Sequence, residues 1–356
     1  MGWPHSQSGR SGTRRAAVRQ HAVTEQCRLM SRSWGFWTLG KLHVLRDYLD
    51  AFTTATKYRA DERIYLDLFA GETKNFDKIT KEATESSAQI ALSIKEPLFT
   101  RLRFFELEGK AQELERTLVR AYPDRDIKVY AGDCNKKIPC ALKELRHLSW
   151  APTFAFIDPN SLEAKWRTLE ELARFRTGNY KTELFLLFSP QMFSRLLPVK
   201  GKLLRPEDEE AIDAVFGIGA WRAVYDSRLN ESLSGHEAYE EYLNLMRWRL
   251  ETELGYRWTH PLELKNTRGT SVYFMIFATS NDTGHKIMSH LYNSAAAQFP
   301  AMQAEARSRL QQIREEESGV MRLFEDGSEL GRPGQQHEGL YVHEAPTRPW
   351  FLDDES

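Results

Sequence analysis

Acidic residues follow four segments of the sequence that have the apolar composition of buried β-strands. With their neighbours they form the runs Asp67-Leu68-Phe69-Ala70-Gly71, Phe105-Glu106, Gly132-Asp133-Cys134-Asn135 and Asp158-Pro159-Asn160. Ligands of open parallel sheets bind outside the carboxyl ends of the strands. We therefore expect the four runs to meet at one ligand site, where the small residues Ala70 and Gly71 let a ligand approach the backbone closely.

The acids at the ends of the second and third predicted strands have the chemistry needed to hold a nucleoside. A carboxylate at Glu106 can accept hydrogen bonds from both hydroxyls of a ribose. Glu108 competes for this role, and a solvent-exposed loop carboxylate is the alternative for Glu106. Asp133 can accept a hydrogen bond from the amino group of an adenine. Its alternative is to cap the helix that follows.

The run Asp158-Pro159-Asn160 ends the fourth predicted strand, where it could align an amino group for reaction. Amino-group methyltransferases that act on nucleobases have an Asp/Asn-Pro-Pro-aromatic tetrapeptide at this place. Its acid or amide side chain orients the target NH₂, so that catalysis is positioning combined with electrostatics. Here Asn160 replaces the second Pro, and no aromatic residue follows to stack on a base. A simple strand-to-loop turn is the alternative.

Apolar runs alternate with amphipathic segments along most of the chain, which is the βαβ pattern of a parallel sheet. The predicted strands cover residues 63–69, 103–106, 127–130, 153–157 and 183–189, and a closing hairpin covers 262–264 and 272–278. Helices are predicted to begin near residues 37, 86, 111, 139, 166, 206, 239 and 285. We expect an α/β, Rossmann-like fold with a mixed, mostly parallel sheet in the order 3-2-1-4-5, extended by the hairpin beyond the fifth strand.

The composition limits the type of protein. The 49 Lys and Arg residues nearly balance the 50 Asp and Glu residues, so any basic surface must be local. The three cysteines are too few and too scattered for a disulfide framework or a zinc site. No apolar run reaches the roughly 20 residues of a membrane span. We expect a cytoplasmic protein that does not bind a membrane or a structural metal.

Changes in composition along the chain indicate the domain organisation. Residues 1–33 contain six Arg and one acid, and we predict a disordered basic tail there, with a nucleic-acid-binding arm as the alternative. Residues 34–290 are predicted to form the Rossmann-like domain, residues 291–330 a C-terminal helical extension, and residues 331–356 a second tail.

The order of motifs resembles that of the bacterial three-Cys-motif partner proteins over residues 37–287. The similar segments are Trp37-Thr38-Leu39-Gly40-Lys41-Leu42-His43-Val44-Leu45, Tyr65-Leu66-Asp67-Leu68-Phe69-Ala70-Gly71, Phe105-Glu106, Gly132-Asp133-Cys134-Asn135, Phe154-Ala155-Phe156-Ile157-Asp158-Pro159 and Glu183-Leu184-Phe185-Leu186-Leu187-Phe188. The resemblance implies a class I methyltransferase fold, S-adenosyl-L-methionine (SAM) as the cofactor and a three-Cys-motif protein as the partner. With this fold we expect cofactor contacts from Asp67, Phe69, Ala70, Gly71, Glu106, Asp133 and Cys134, and a catalytic role for Asp158, Pro159 and Asn160.

This chain departs from the family pattern at three places around the expected site. Glu72 and Thr73 follow Gly71 where the family has x-Gly, Ser86-Ser87 replaces Gly-Ser, and Asn160-Ser161 replaces aromatic-Gly. We expect a SAM-dependent methyltransferase-like protein that acts on an amino group of nucleic acid. Because of the departures, a catalytically altered or inactive partner subunit with the same fold is the main alternative. A nucleic-acid-binding module is the third.

Overall fold

The structure, a computed structural model, describes residues 34–71, 74–76, 83–199, 203–265, 271–318 and 341–352. The predicted basic tail at 1–33, the loop positions Glu72 and Thr73, the hairpin turn at 266–269 and parts of the predicted tail at 331–356 lie outside these ranges. Within the described ranges, no helix combines the length and the apolar composition that a membrane span requires.

Helices and strands alternate through the first half of the described chain, as predicted. In chain order the elements are α1 (Trp34–Thr56), β1 (Ile64–Asp67), β2 (Lys74–Phe76), β3 (Ala83–Glu85), α2 (Ser87–Ser93), β4 (Arg101–Glu106), α3 (Glu108–Ala121), β5 (Ile127–Ala131), α4 (Cys134–Glu144), a 3₁₀ turn (Arg146–Leu148), β6 (Thr153–Ile157), α5 (Trp166–Phe175), β7 (Glu183–Phe188), α6 (Pro190–Leu196), α7 (Pro206–Phe216), α8 (Trp221–Leu229), α9 (Gly235–Thr252), β8 (Trp258–Lys265), β9 (Ser271–Thr279) and α10 (Asp282–Ser318).

One mixed sheet of seven strands forms the centre of the described structure, in the order β5-β4-β1-β6-β7-β9-β8. The five strands from β5 to β7 are parallel, and β9 is antiparallel to both β7 and β8. The predicted α/β class, the strand order 3-2-1-4-5 and the antiparallel hairpin beyond the fifth strand are therefore confirmed. A separate short hairpin of β2 and β3 was not predicted.

The central strands are buried on both faces, which explains their unbroken apolar composition. Every residue of β1, β6 and β7 is buried. Helices α4, α5, α7 and α9 pack on one face of the sheet, in a core that includes Leu142, Leu169 and Phe216. Helices α1, α2, α3 and α10 pack on the other face, in a core that includes Leu45 and Tyr292. The sheet is thus the middle of three layers.

Side-chain caps fix the beginnings of two helices beside the carboxyl edge of the sheet. Ser86 caps α2 and forms a reciprocal capping box with Gln89, which supports the predicted helix start at residue 86. Asp133 caps α4, so that helix begins at Cys134. The prediction of a helix beginning at Pro139 was therefore wrong. Pro139 lies inside α4, in its second turn, where it cannot donate a backbone hydrogen bond to the Asn135 carbonyl.

The end of the described chain packs back onto the domain. Helix α10 crosses the predicted boundary at residue 290, and its Ala295 and Phe299 pack on the core between α1 and the sheet. Residues 341–352 fall in the predicted tail, and they contact α9 and the edge strand β8. Asn244 and Thr347 exchange two hydrogen bonds of 2.9 and 3.0 Å, and Tyr341 Oη lies 3.2 Å from His260 Nδ1.

Candidate cofactor and substrate site

A cavity of about 580 Å³ opens at the carboxyl edge of the parallel strands. Nine of the ten residues predicted for the site line it, and only Asp67 does not. The nine are Phe69, Ala70, Gly71, Glu106, Asp133, Cys134, Asp158, Pro159 and Asn160. The strands β5, β4, β1 and β6 are consecutive and parallel in the sheet. Their carboxyl ends therefore lie at the same edge, which brings these residues together. The volume lies within the range of small-molecule sites, roughly 300–1,000 Å³.

Glu106 connects the end of β4 to the loop after β1. Its carboxylate accepts hydrogen bonds from the backbone N–H of Gly71 at 2.7 Å and of Leu107 at 2.9 Å. Gly71 has a φ of +64°, which favours glycine, and a Cβ added there would have no heavy atom within 4 Å. A carboxylate has about four acceptor positions, so Glu106 retains acceptor capacity toward the cavity.

Asp67 lies beneath the loop after β1 and is completely buried. The Tyr65 hydroxyl donates to its carboxylate at 3.2 Å, and the Ser87 hydroxyl also hydrogen-bonds with it. Burial, with a smaller contribution from the charge of Asp158, raises the pKa of the Asp67 carboxyl from its usual 3.8 to about 7, although the hydrogen bonds from Ser87 and Tyr65 act in the opposite direction. The structure thus places Asp67 under the site and not on its wall.

Asp133 and Asn135 order the loop that carries the Asp-Pro-Asn motif. Asp133 Oδ1 accepts from the Asn135 backbone at 3.0 Å, which is the capping role given above as its alternative. The Asn135 amide donates to the Glu163 carbonyl at 2.8 Å, and its oxygen accepts from the Thr168 hydroxyl at 2.7 Å and from the Lys165 backbone at 3.2 Å. Asn135 was not predicted as a site residue, because these contacts join segments about 30 residues apart.

Cys134 contributes a protonated thiol to the cavity wall. Burial raises its pKa to about 12, and the neighbouring charge of Asp133 acts in the same direction. A thiol in this environment is not a nucleophile at neutral pH. The position therefore suits van der Waals contact with a ligand, in keeping with the predicted cofactor role and with no covalent role.

Asp158 lies at the end of β6, where its carboxylate forms an ion pair with the Lys41 ammonium of helix α1. The Lys41 and Asp158 side chains are only 12% and 24% exposed, so water screens the pair weakly. Lys41 also lies over the ring of Phe156, 5.9 Å from its centroid. Lys41 belongs to the segment 37–45 quoted for the family resemblance, but nothing in the sequence paired it with Asp158.

The side of the cavity beyond Asp158 is apolar and aromatic. Phe156, Leu187, Leu264 and Tyr273 line it. Burial, and after it the charge of Asp158, raise the pKa of the Tyr273 hydroxyl to about 12, so the phenol is neutral at physiological pH. Tyr273 was missed because its segment was predicted only as part of a closing hairpin. The cavity therefore combines carboxylates at one end with a planar, apolar wall at the other.

Comparisons with known proteins add little to this geometry. No family model matches the chain, and no curated protein matches it significantly. Among solved structures, the chain is similar to protein LPL1258 of Legionella pneumophila str. Philadelphia 1, whose title names the family model DUF519. The identity is 11%, the TM-score is 0.41, and the match covers 72% of this chain and 91% of that one. A likeness of this strength carries no inference about function, and the resemblance to three-Cys-motif partner proteins stays a prediction.

Proposed function

We propose that this protein is a SAM-dependent methyltransferase-like protein that acts on an amino group of nucleic acid, together with a three-Cys-motif partner. One observation supports the proposal most strongly. Residues from all four sequence runs chosen for their chemistry line a single cavity at the carboxyl edge of the sheet, although they are spread from Leu68 to Asn160. Open α/β sheets bind their ligands at this edge.

The residues around Gly71 fit the cofactor. Gly71 leaves open space beside the backbone, and Glu106 has acceptor positions left for the two hydroxyls of a ribose. One oxygen of Asp133 is used by the helix cap, which leaves the other for an adenine amino group. When bound, SAM supplies an activated methyl group on a positively charged sulfur.

Asp158 is the residue that would orient the target amine. It follows β6, the strand next to β1, so its carboxylate lies between the Gly71 side of the cavity and the aromatic side. Pro159 fixes the backbone immediately after it. A carboxylate held in this position can accept a hydrogen bond from an NH₂ group and align the nitrogen lone pair.

Isothermal titration with SAM and with S-adenosylhomocysteine tests the proposal directly. We expect saturable binding of both ligands at one site per chain. Absence of binding at millimolar ligand would reject the cofactor assignment and favour the second candidate. The same titration with Glu108→Ala, which changes the competing acid outside the cavity wall, is the control for nonspecific electrostatic effects.

A catalytically altered partner subunit is the second candidate, and the Lys41–Asp158 ion pair favours it. The pair engages the carboxylate that a target amine would need. Because this carboxylate is already paired, the fold can keep the cavity without catalysing methyl transfer. Co-purification of a three-Cys-motif protein without any SAM binding would support this candidate. The third candidate, a nucleic-acid-binding module, depends on the basic residues of positions 1–33. These positions lie outside the described ranges, so this candidate stays a prediction.

A further inference from the structure

The sheet order divides the cavity into two parts. The ends of β1, β4 and β5 carry Gly71, Glu106 and Asp133, which form the proposed cofactor part. On the other side of β1, strands β6, β7, β9 and β8 contribute Phe156 and Tyr273, together with the two leucines of the apolar wall. The second part is therefore built by elements that the cofactor does not need, and it is available for the acceptor of the methyl group.

Tyr273 has a defined position in this second part. Phe188, the last residue of β7, pairs with Phe274 of β9, so Tyr273 lies one residue beyond the carboxyl edge of β7. Successive residues of a strand point to opposite faces of the sheet. Phe274 belongs to the core under α4 and α9, and Tyr273 packs with the core on the α1 face, the face of Phe156.

Two aromatic side chains thus line the part of the cavity next to Asp158. Methyltransferases of nucleobase amino groups take such an aromatic from the residue after Asp-Pro-Pro, and this chain has Ser161 there. We propose that Tyr273 is a specificity-determining residue that supplies this aromatic surface from β9, and that the acceptor is a nucleobase with an exocyclic amino group. This inference rests on the proposed function and names its substrate class.

The Lys41–Asp158 ion pair bears on the kind of amine that Asp158 can orient. Lys41 places an ammonium group against this carboxylate, so a lysine or arginine side chain that approached Asp158 would meet a like charge, whereas a neutral amine would not. The exocyclic amines of adenine, cytosine and guanine carry no charge at neutral pH. Their rings can stack on Tyr273 or Phe156 while the amine replaces or shares the Lys41 contact with Asp158.

Binding of single-stranded homopolymers tests the inference with the full chain. The probes are fluorescein-labelled oligonucleotides of dA, dC and dT, about ten nucleotides long, read by fluorescence anisotropy with S-adenosylhomocysteine present. We expect dA or dC to bind more tightly than dT, since thymine has no exocyclic amine. Tyr273→Ala should weaken that binding by about tenfold or more, and Tyr273→Phe should leave it within about twofold.

Two control variants separate the loss of stacking on Tyr273 from general effects of a substitution on oligonucleotide binding. Tyr180→Ala changes a tyrosine at the opposite edge of the sheet and should not alter binding. Tyr273→Leu keeps an apolar side chain and replaces Tyr273→Ala in the experiment if the alanine variant does not fold. It should weaken binding in the same way, because leucine has no ring on which a base can stack. Equal binding of all three oligonucleotides, no binding by the unmodified protein, or unchanged affinity in Tyr273→Ala and Tyr273→Leu would each overturn the inference.

A SAM titration on the same preparations keeps the two proposals apart. Tyr273-dependent binding of dA or dC without SAM binding would remove the proposed methyltransferase function and leave a base-binding site. SAM binding with no selective oligonucleotide binding would retain the cofactor assignment and reject the nucleobase as the acceptor. In that case a peptide amide or amine becomes the class to examine.

Discussion

The Lys41 ammonium of the first helix and the Asp158 carboxylate at the end of β6 form an ion pair, although 117 positions separate them in the sequence. Both side chains are mostly buried, and Asp158 lies close enough to Asp67 to influence its pKa. Removing the lysine leaves Asp158 without its ion-pair partner and close to a second carboxyl group. We therefore expect the pair to affect stability at the same place where chemistry is proposed.

We expect Lys41→Met to lower the free energy of unfolding by about 1–2 kcal/mol, because it leaves a partly buried carboxylate unpaired. Asp158→Asn combined with Lys41→Met should cost less than the two single changes added together, with a coupling of about 1 kcal/mol. Urea unfolding of the four proteins measures this coupling. Lys95→Met, at an exposed lysine, is the matched control, and strict additivity would show that the ion pair contributes nothing.

Asp67 should make stability depend on pH. Its pKa in the folded protein, about 7, lies above the usual 3.8, so its stabilising contribution is complete below about pH 4 and is lost as the pH rises through 7. Asp67→Asn removes this titration. The stability of the variant relative to the unmodified protein should rise by up to about 1.4 kcal/mol per pH unit between pH 4 and 7.

Urea unfolding at several pH values gives this difference directly. Asp61→Asn, at an exposed position, is the control for general charge effects. A difference between Asp67→Asn and the unmodified protein that does not change with pH would contradict the prediction.

Asn135 is expected to be a structural residue of the loop after β6. Asn135→Ala removes hydrogen bonds to Glu163, Lys165 and Thr168, and we expect a loss of about 1–3 kcal/mol in unfolding free energy. Hydrogen exchange should also become faster in residues 159–165. Asn160→Ala, at an exposed position in the same loop, should change neither measurement greatly. Equal effects of the two changes would show that the Asn135 contacts are unimportant.

Glu106 should contribute to SAM affinity if the cofactor assignment is correct. We expect Glu106→Ala to weaken binding by about 1–3 kcal/mol, the range for hydrogen bonds to a charged group. Glu106→Gln keeps one acceptor and should lose less. Because Glu106 also holds the Gly71 N–H, thermal melts must accompany the titrations. Affinity that is unchanged in Glu106→Ala would place the ribose elsewhere.

Asp158 is expected to affect methyl transfer much more than SAM binding. With labelled SAM and total RNA, DNA or the partner protein as acceptors, Asp158→Ala should reduce the rate by about 10²–10³-fold. Asp158→Asn keeps an acceptor oxygen and should retain more activity than the alanine variant. Asp124→Asn changes an exposed acid that is distant from Asp158 in the sequence, and it serves as the control. Transfer by Asp158→Ala at the unmodified rate would exclude Asp158 from the mechanism.

The sheet could be predicted from the sequence because its pattern is local. The strand Thr153–Ile157 has the predicted bounds because it is a continuous apolar run, and the helix Trp166–Phe175 begins where predicted because it is strongly amphipathic. Because parallel strands are joined by right-handed crossovers, only a few orders of the strands in the sheet are then possible. The helix predicted to begin near residue 139 begins at Cys134, because the side chain of Asp133 caps it there.

Residues of the site could be predicted from the sequence only where they follow the ends of predicted strands. Glu106, Asp133 and Asp158 lie at the cavity because strand ends must meet there. Lys41 and Tyr273 reach the same cavity from α1 and β9, and their positions depend on how those elements pack against the sheet. Single-sequence patterns do not encode such contacts.

The packing of α1 against α10 also determines how late in synthesis the first helix can complete its contacts. A Cβ on Gly40 in α1 would lie 3.1 Å from the ring of Phe299, so the two helices are in close contact at that point. The ribosome makes Gly40 about 260 residues before Phe299. Until the later helix emerges, one apolar face of α1 has no cover. This apolar face therefore stays exposed on the nascent chain until α10 has been synthesised, and exposed apolar surface of this kind favours aggregation.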